Sequence, residues 1–530
     1  MSYFRINPQF GFNFEGLLVD NFAGGGGAST GIEAALGRAV DIAVNHDEKA
    51  ISLHTVNHPK TQHYCESVWD IDPRQVCAGH PVDLAWFSPD CRHFSKAKGG
   101  TPVSARVRGL AWVVMRWIGT VRPKLIFLEN VEEFRTWGPL VKDGSGDYRP
   151  CKKRQGRTFN SFINAIRKHG YEVETKELRA RAYGAATIRK RLFLVARCDG
   201  QPIRWPEPSH GPGLLPYDTT ANHVDWSEQV PSILGRKKIL ADNTMKRIAL
   251  GLERFVLNHP DPFVAPLNEQ QAENYITRME HAVVEEQQKA NGIREPLKRT
   301  RIKTENSVVM AHVIKHFGGM VGTSIEEPLP TTTTRGTQNQ IQASYMVKLR
   351  NNQTAQDLRE PAPTFTSGGG HVANVTAFLV KYYGTTIAQT IEQPLQTNST
   401  ENLFGFAIVE KDQLSLTDDQ LYSAWWVARL QEEFGSNNEV RVTQIPVPRP
   451  SMILAHGYIV VEIGMRMFLP RELYSCQGFS SDYVIDRDSQ GNPITKTQQN
   501  AKCGNSVSPL VAEALVRVNT ETALEIVDVA

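Results

Sequence analysis

Val82-Asp83-Leu84-Ala85-Trp86-Phe87-Ser88-Pro89-Asp90-Cys91-Arg92-His93-Phe94-Ser95 is an apolar run that stops at a Ser-Pro turn and delivers one cysteine. Aliphatic and aromatic residues at 84–87 predict a buried strand, and Ser-Pro ends it. A turn at the carboxyl end of such a strand is where open α/β sheets place their ligands. A thiol there is a candidate nucleophile, since the thiolate is the most nucleophilic side chain near neutral pH. Taken alone, Cys91 also reads as a small buried hydrophobe. Its neighbours along the chain decide between the two.

On either side of this run, residues 15–198 alternate short apolar stretches with amphipathic ones, which predicts a parallel sheet with crossover helices. The expected strands are 17–21, 39–45, 84–87, 125–129, 171–178 and 191–196; the expected helices are 28–36, 47–56, 104–120 and 158–169. From Pro202 prolines and polar residues multiply and the alternation stops. A long polar helix at 268–289 is expected before a basic patch, Lys298-Arg299-Thr300-Arg301-Ile302-Lys303. Between 316 and 410, Glu326-Glu327-Pro328-Leu329-Pro330-Thr331 is echoed by Arg359-Glu360-Pro361-Ala362-Pro363-Thr364 and, less closely, by Glu392-Gln393-Pro394-Leu395-Gln396-Thr397. A fixed period implies stacked copies of one unit, and the Thr, Gly, Pro and β-branched content favours short strands with extended loops. Ordered texture returns at 457, with strands expected at 458–462 and 465–469 and a helix at 509–518. The expected organisation is a catalytic domain at 1–199, an insert at 200–456 and a C-terminal return at 457–530.

At 530 residues the chain exceeds one ordinary core. A formal net charge of +3 permits a nucleic-acid partner without demanding one. No run reaches transmembrane length and the first residues lack the apolar core of a signal peptide. Seven cysteines without a CxxC pair argue against a disulfide framework and a zinc site, and fit a reducing cytoplasm.

Five further fragments bear on the chemistry. Asp20-Asn21-Phe22-Ala23-Gly24-Gly25-Gly26-Gly27-Ala28 follows the first strand and opens a helix, so its glycines let backbone approach a cofactor and the helix N-terminus favours an anionic group. It lacks the Gly-Lys-Ser/Thr ending of a P-loop. The second strand ends at Asn45-His46-Asp47, where a doubly wound fold places a ribose-binding side chain, and Trp69-Asp70-Ile71 offers a carboxylate to an adenine amino group. Leu125-Ile126-Phe127-Leu128-Glu129-Asn130-Val131 carries a carboxylate to a strand tip, facing the same crevice as Cys91 and placed to act on a ring nitrogen. In Ile188-Arg189-Lys190-Arg191-Leu192, Arg189 and Arg191 fall on one strand face, suited to an oxygen or phosphate.

In this order the fragments resemble the DNA (cytosine-5)-methyltransferases that use S-adenosylmethionine. The glycine loop is similar to their cofactor motif, and Pro89-Asp90-Cys91 to the Pro-Cys loop that holds their nucleophile. Glu129-Asn130-Val131 matches their Glu-Asn-Val motif, and Arg189-Lys190-Arg191 the end of their Gln-x-Arg-x-Arg motif. Pro470-Arg471-Glu472-Leu473 with Gln477-Gly478-Phe479, and then Gly504-Asn505-Ser506-Val507, resemble their two closing elements. The likeness covers about 15–198 and 457–520, with a bacterial and phage flavour. Asp90 and Arg92 replace the residues usual beside the nucleophile, Asn45 and His46 the usual ribose and adenine partners, and Thr187 the usual Gln. Ser475 and Cys476 replace the usual Arg and Leu.

The resemblance implies a Rossmann-like class I methyltransferase mixed sheet interrupted by a β-rich target-recognition insert. It makes Cys91, Glu129, Arg189 and Arg191 catalytic. It assigns S-adenosylmethionine to Phe22, Ala23, Gly24, Gly25, Gly26, Gly27, Asn45, His46, Asp70, Ile71, Pro89, Asn505, Ser506 and Val507, with no metal. Double-stranded DNA is the implied partner of a monomeric cytoplasmic enzyme, with a cognate restriction endonuclease permitted but not indicated. Arg335 and Gln338, in the repeats, are expected to meet DNA. A tRNA cytosine-5 methyltransferase and an inactive DNA-binding homologue remain the alternatives.

Overall fold

Val82–Phe87 is buried at every position, and this strand (β4) organises the first half of the protein. Trp86 stacks on Phe127 at 5.2 Å between ring centroids, and Asp83, fully buried, pairs with Lys124 Nζ at 2.7 Å. A strand apolar on both faces needs a layer of helices on each. The computed structural model describes residues 16–90, 109–142, 148–228, 230, 233, 240–265, 307–315, 322–331, 339–348, 378–381, 388–390, 404–406, 418–436, 442–443, 452–455 and 458–520.

Around β4 the sheet contains β1 (Leu17–Asn21), β2 (Ile42–Val44), β3 (Gln62–Tyr64), β5 (Leu125–Asn130), β8 (Glu172–Arg179) and β9 (Lys190–Arg197). A small hairpin, β6 (Leu140–Lys142) with β7 (Tyr148–Pro150), stands apart from it. The strand order is β3-β2-β1-β4-β5-β9-β8. The first five strands are parallel, while β9 runs antiparallel to both β5 and β8. The expected mixed α/β sheet is therefore present. One face buries Val19, Val44, Phe87 and Leu128 against the helices Val113–Thr120 and Arg157–Lys168. The other buries Leu18, Trp86, Phe127 and Phe193 against Gly27–Leu36 and Pro509–Thr520. Each fully buried side chain of this size contributes about 1.5–3 kcal/mol.

Several local expectations need correction. The strand expected at 39–45 spans only Ile42–Val44, because the chain turns through Gly37 and Asp41 takes the Leu18 amide. The helix expected at 104–120 is α-helical from Val113, after a 3-10 turn at Leu110–Trp112. The two strands expected at 458–462 and 465–469 form one, Tyr458–Met467, irregular in register where Tyr345 and Met346 face it. β3 and the short helix Pro73–Cys77, capped by Asp72, were not expected.

Backbone contacts divide the chain into two compact units: 1–224 with 325–339 and 468–530, and 225–324 with 340–467. These limits differ from the expected 199/200 and 456/457. Residues 202–224 belong with the first sheet, where Arg204 N donates to Asn519 Oδ1 at 3.0 Å. Tyr458–Met467 pairs with Asn339–Lys348 in the second unit. That unit has a six-stranded sheet, Gly322–Ser324, Ser307–Lys315, Asn339–Lys348, Tyr458–Met467, Met452–Ala455 and Val442–Thr443 in spatial order. Ile463 and Met465 of this sheet pack with Ile248 and Leu252 of the helix Asp242–Leu252 and with Val427 of Asp418–Phe434. The expected polar helix at 268–289, the basic patch at 298–303, Arg335, Gln338 and nearly all of the second and third repeat copies lie outside the described residues.

Candidate active site

Glu129 is the penultimate residue of β5, on the same face as Phe127, and is 6 % exposed. Opposite it, β9 contributes two guanidiniums: Arg191 Nε lies 3.1 Å and Arg189 Nη2 3.8 Å from Glu129 Oε1. Strand alternation puts Arg189 and Arg191 inward, as the sequence predicts, and turns Lys190 outward to Glu132 and Glu177. Both arginines are held in place: Arg189 Nη1 donates to the Gly504 carbonyl at 3.0 Å and Arg191 Nη1 to the Lys190 carbonyl at 2.8 Å. One carboxylate beside two fixed guanidiniums can address adjacent nitrogen and oxygen atoms of a planar heterocycle.

Cys91 lies outside the described residues, but the strand that delivers it does not. Asn130 Nδ2 donates to the Pro89 carbonyl at 3.0 Å, while its Oδ1 accepts from Val131 N at 2.9 Å. Asn130 thus ties the tip of β5 to the tip of β4, two residues before the cysteine. The Glu-Asn pair divides the work, one side chain in the crevice and the other holding the neighbouring loop.

The glycine loop leaves β1 through Phe22, whose φ is 64°, and Ala23 N donates to the Val44 carbonyl at 3.1 Å. Gly26 has φ 95° and no room for a side chain, since a Cβ would overlap Tyr483 Oη and His58. A Cβ on Gly27 would overlap Ser506 Oγ and the Val507 carbonyl, so the helix N-terminus and the closing motif press together. Gln477 Nε2 fixes that motif by donating to the carbonyls of Ser506 at 2.8 Å and Cys503 at 3.1 Å. The loop and Ser506-Val507 are thus brought into one place, and Asn505 beside them is exposed. Asn45 is buried and spends its Oδ1 on the Asp47 amide at 2.9 Å, whereas His46 and Asp70 are exposed and Ile71 and Pro89 buried.

Sequence reasoning missed the layer behind the loop. Tyr483 Oη donates to the Gly25 carbonyl, and Thr30 Oγ1 to that of Gly26 at 2.8 Å. His58 sits 2.9 Å from Glu33 and 3.5 Å from Tyr483 Oη. A second chain runs from Asp20 through Ser29 Oγ, 2.8 Å away, to His54 at 3.0 Å and on to His63 at 2.8 Å. Burial pushes the Asp20 carboxyl up to about 7, partly offset by Ser29. Burial and the adjacent His58 and His63 rings hold His54 well below the usual imidazole range. For a carboxyl raised in the fold, stability is fully present below the unfolded pKa and is lost as pH rises from about 4 to about 7. No spacing pattern announces these residues, since Tyr483 is 458 positions from Gly25.

The residues fit a bound cofactor on two counts. A Cβ on Gly24 or Gly25 would meet no atom closer than 3.6 Å, so the backbone there is not pressed against a neighbour as it is at Gly26 and Gly27. Next to it, Asn21 is fully buried with both amide atoms unpartnered, as is Asp20 Oδ1. Polar atoms buried without partners are costly and call for a ligand or water.

Comparison with known proteins settles the family. The family model for C-5 cytosine-specific DNA methylases matches residues 17–520. The chain belongs to that family. It is 27% identical over 197 residues to the type II methyltransferase M.AgeI of Thalassovita gelatinovora, covering 36% of this chain and 42% of that one. It is 29% identical over 231 residues to M.XorII of Xanthomonas oryzae, 42% and 50% of the two chains. With M.AquIA of Picosynechococcus it shares 26% over 232 residues, 40% of this chain and 88% of the relative. The match thus spans about half or less of M.AgeI and M.XorII. A prophage-encoded DNA modification methyltransferase structure from E. coli aligns over 95% of this chain and 99% of its own at 14% identity and TM-score 0.43. Among the described residues no helix is long and apolar enough to cross a membrane, and no His, Cys, Asp and Glu cluster could hold a metal.

Proposed function

We propose that this family member methylates C5 of a cytosine in duplex DNA, through a covalent bond between Cys91 and C6 of a base flipped from the helix. The observation that supports it most is Glu129 set between Arg191 and Arg189, at the strand tip whose next residue, Asn130, holds Pro89. C5 of cytosine is a poor nucleophile until the ring loses its aromatic character. Addition of the Cys91 thiolate at C6 does this, with Glu129 giving a proton or hydrogen bond to N3 and Arg191 binding O2. S-adenosylmethionine, when bound, supplies the electrophilic methyl group. Loss of the C5 proton then restores the ring and expels Cys91. A stacked base cannot reach these groups, so extrusion costs a few kcal/mol. Basic side chains of the second unit would hold phosphates and read base edges.

Phe22–Gly27 with Ser506 and Val507 would hold the cofactor, with Asn45, His46, Asp70 and Ile71 at its adenosine end. Asn21 extends this set. Exchanging Asn21 for Leu, close in size, should raise the melting temperature of the cofactor-free protein, because an unsatisfied buried amide costs about 1–3 kcal/mol. The same exchange should weaken S-adenosylmethionine binding in calorimetry. Stabilisation with unchanged affinity would remove Asn21 from the cofactor site.

Bisulfite sequencing of DNA from a host expressing the protein tests the function directly. Protected cytosines confined to one short sequence are expected. Methylation appearing only as N4-methylcytosine or N6-methyladenine, or only on tRNA, would overturn it. The type II names of the relatives suit a monomeric cytoplasmic modification enzyme, for which a cognate endonuclease is permitted but not indicated.

A further inference from the structure

β5 ends at Asn130 and the next α-helix begins at Arg157, so the described residues between them leave from and return to the end of the sheet that carries Glu129. Its root is rigid. Phe134 stacks on Trp137 at 5.2 Å and meets Phe159 edge-on at 5.6 Å, all three buried. Phe159 N donates to the Trp137 carbonyl at 3.0 Å, and a side chain on Gly138 would overlap the Arg154 backbone. Lys190, between the two active-site arginines, ties Glu132 of the same root.

Beyond that root the surface changes character. β6 and β7 pair antiparallel and lead into the turn Lys152–Arg154. Lys142, Arg149, Lys152, Lys153 and Arg154 are exposed, and Tyr148, 48 % exposed, lies 5.7 Å from the Lys142 ammonium. Within 140–157 six basic residues, Lys142, Arg149, Lys152, Lys153, Arg154 and Arg157, stand against two acids, Asp143 and Asp147, and among the described residues Lys152 and Lys153 make no ion pair. Adjacent like charges on a firmly rooted element repel, and a polyanion converts that repulsion into attraction by releasing its own counterions.

We propose that this hairpin and the Lys152–Arg154 turn grip the phosphate backbone of duplex DNA next to the extruded base, as a contact separate from the second unit. The proposal rests on DNA being the substrate. Lys152, Lys153 and Arg154 neutralise phosphates, and the Tyr148 ring packs against a sugar. Such contacts set position and affinity without reading sequence.

The test is the triple variant Lys152→Ala, Lys153→Ala, Arg154→Ala, with binding to duplex DNA measured by fluorescence anisotropy across KCl concentrations. Each lost phosphate contact flattens the plot of log affinity against log salt by about 0.9. A slope shallower by about two to three and roughly tenfold or weaker binding at low salt are expected. Melting temperature, S-adenosylmethionine affinity and the single-turnover rate at saturating DNA should be unchanged. A control, Lys60→Ala with Lys168→Ala, removes exposed cations from the opposite edge of the sheet and should leave the slope alone. An unchanged slope in the triple variant, or an equal loss in the control, overturns the proposal. A hairpin-dependent slope without methylation would refute the cytosine reading and leave this one standing; methylation with an unaltered slope would do the reverse.

Discussion

Cys91→Ser should reduce methyl transfer to below detection while duplex DNA and S-adenosylmethionine still bind. A serine hydroxyl stays protonated at neutral pH, and no general base has been assigned to it, so addition to C6 would fail and the ring would stay aromatic. With DNA carrying 5-fluorocytosine at the target, the wild-type protein should form a stable adduct, because fluorine cannot leave as the C5 proton does. Peptide mapping should place that adduct on Cys91. The rivals are constrained: burial pushes the Cys77 thiol up to about 11 and the Cys503 thiol up to about 12, which leaves both inert. Cys151 is the cysteine to watch, since the Arg154 guanidinium lowers its thiol. Trapping through Cys151 or Cys65, or a serine variant that still turns over, would refute the assignment.

The second large effect is at Glu129. Glu129→Gln preserves size but cannot release a proton to N3, and general acids contribute about 10²–10⁴-fold. A fall of that order in the single-turnover rate is expected, with cofactor affinity within a few-fold of wild type. The variant also leaves the two neighbouring guanidiniums without their carboxylate. Removing one member of a buried pair costs about 3–5 kcal/mol, so rates belong well below the variant's own melting point. Normal chemistry at such a temperature would make Glu129 a structural counter-ion to Arg189 and Arg191.

How much of this was legible depended on the distance over which each signal acts. β1, β4, β5 and β9 were readable because central strands buried on both faces are nearly continuous apolar runs. β2 was read too long and β3 not at all, since three residues carry too little periodicity to fix a strand's ends. The helix Asp418–Phe434 was missed because its apolar run, Ala424-Trp425-Trp426-Val427-Ala428, is too short to tell a helix from a strand by pattern alone. At the site, Glu129, Arg189 and the glycine loop declared themselves through strand tips and turns. The functions of Asn130, His58 and Tyr483 depend on partners 41, 25 and 458 residues away, which no local pattern encodes. Ser475, an unexplained replacement in the sequence, has its reason in space: its Oγ lies 2.7 Å from His223 Nδ1, whose Nε2 meets Asp218 at 2.7 Å.

The glycine loop is made within the first thirty residues, yet Tyr483, Gln477 and the helix beginning at Pro509 are what hold it. A ribosome adding about 5–20 residues per second would leave the nascent loop unsupported for roughly 20–90 s while the chain up to Tyr483 is translated. The loop and its supports are therefore completed late in synthesis, although the loop itself is among the earliest segments to emerge. The same connectivity means that a break in the backbone within the second unit leaves the loop on one fragment and its supports on the other. On the proposed cofactor site, neither fragment should bind the methyl donor by itself, and co-expressed fragments should recover binding only by reassembling around the helix pair Gly27–Leu36 and Pro509–Thr520.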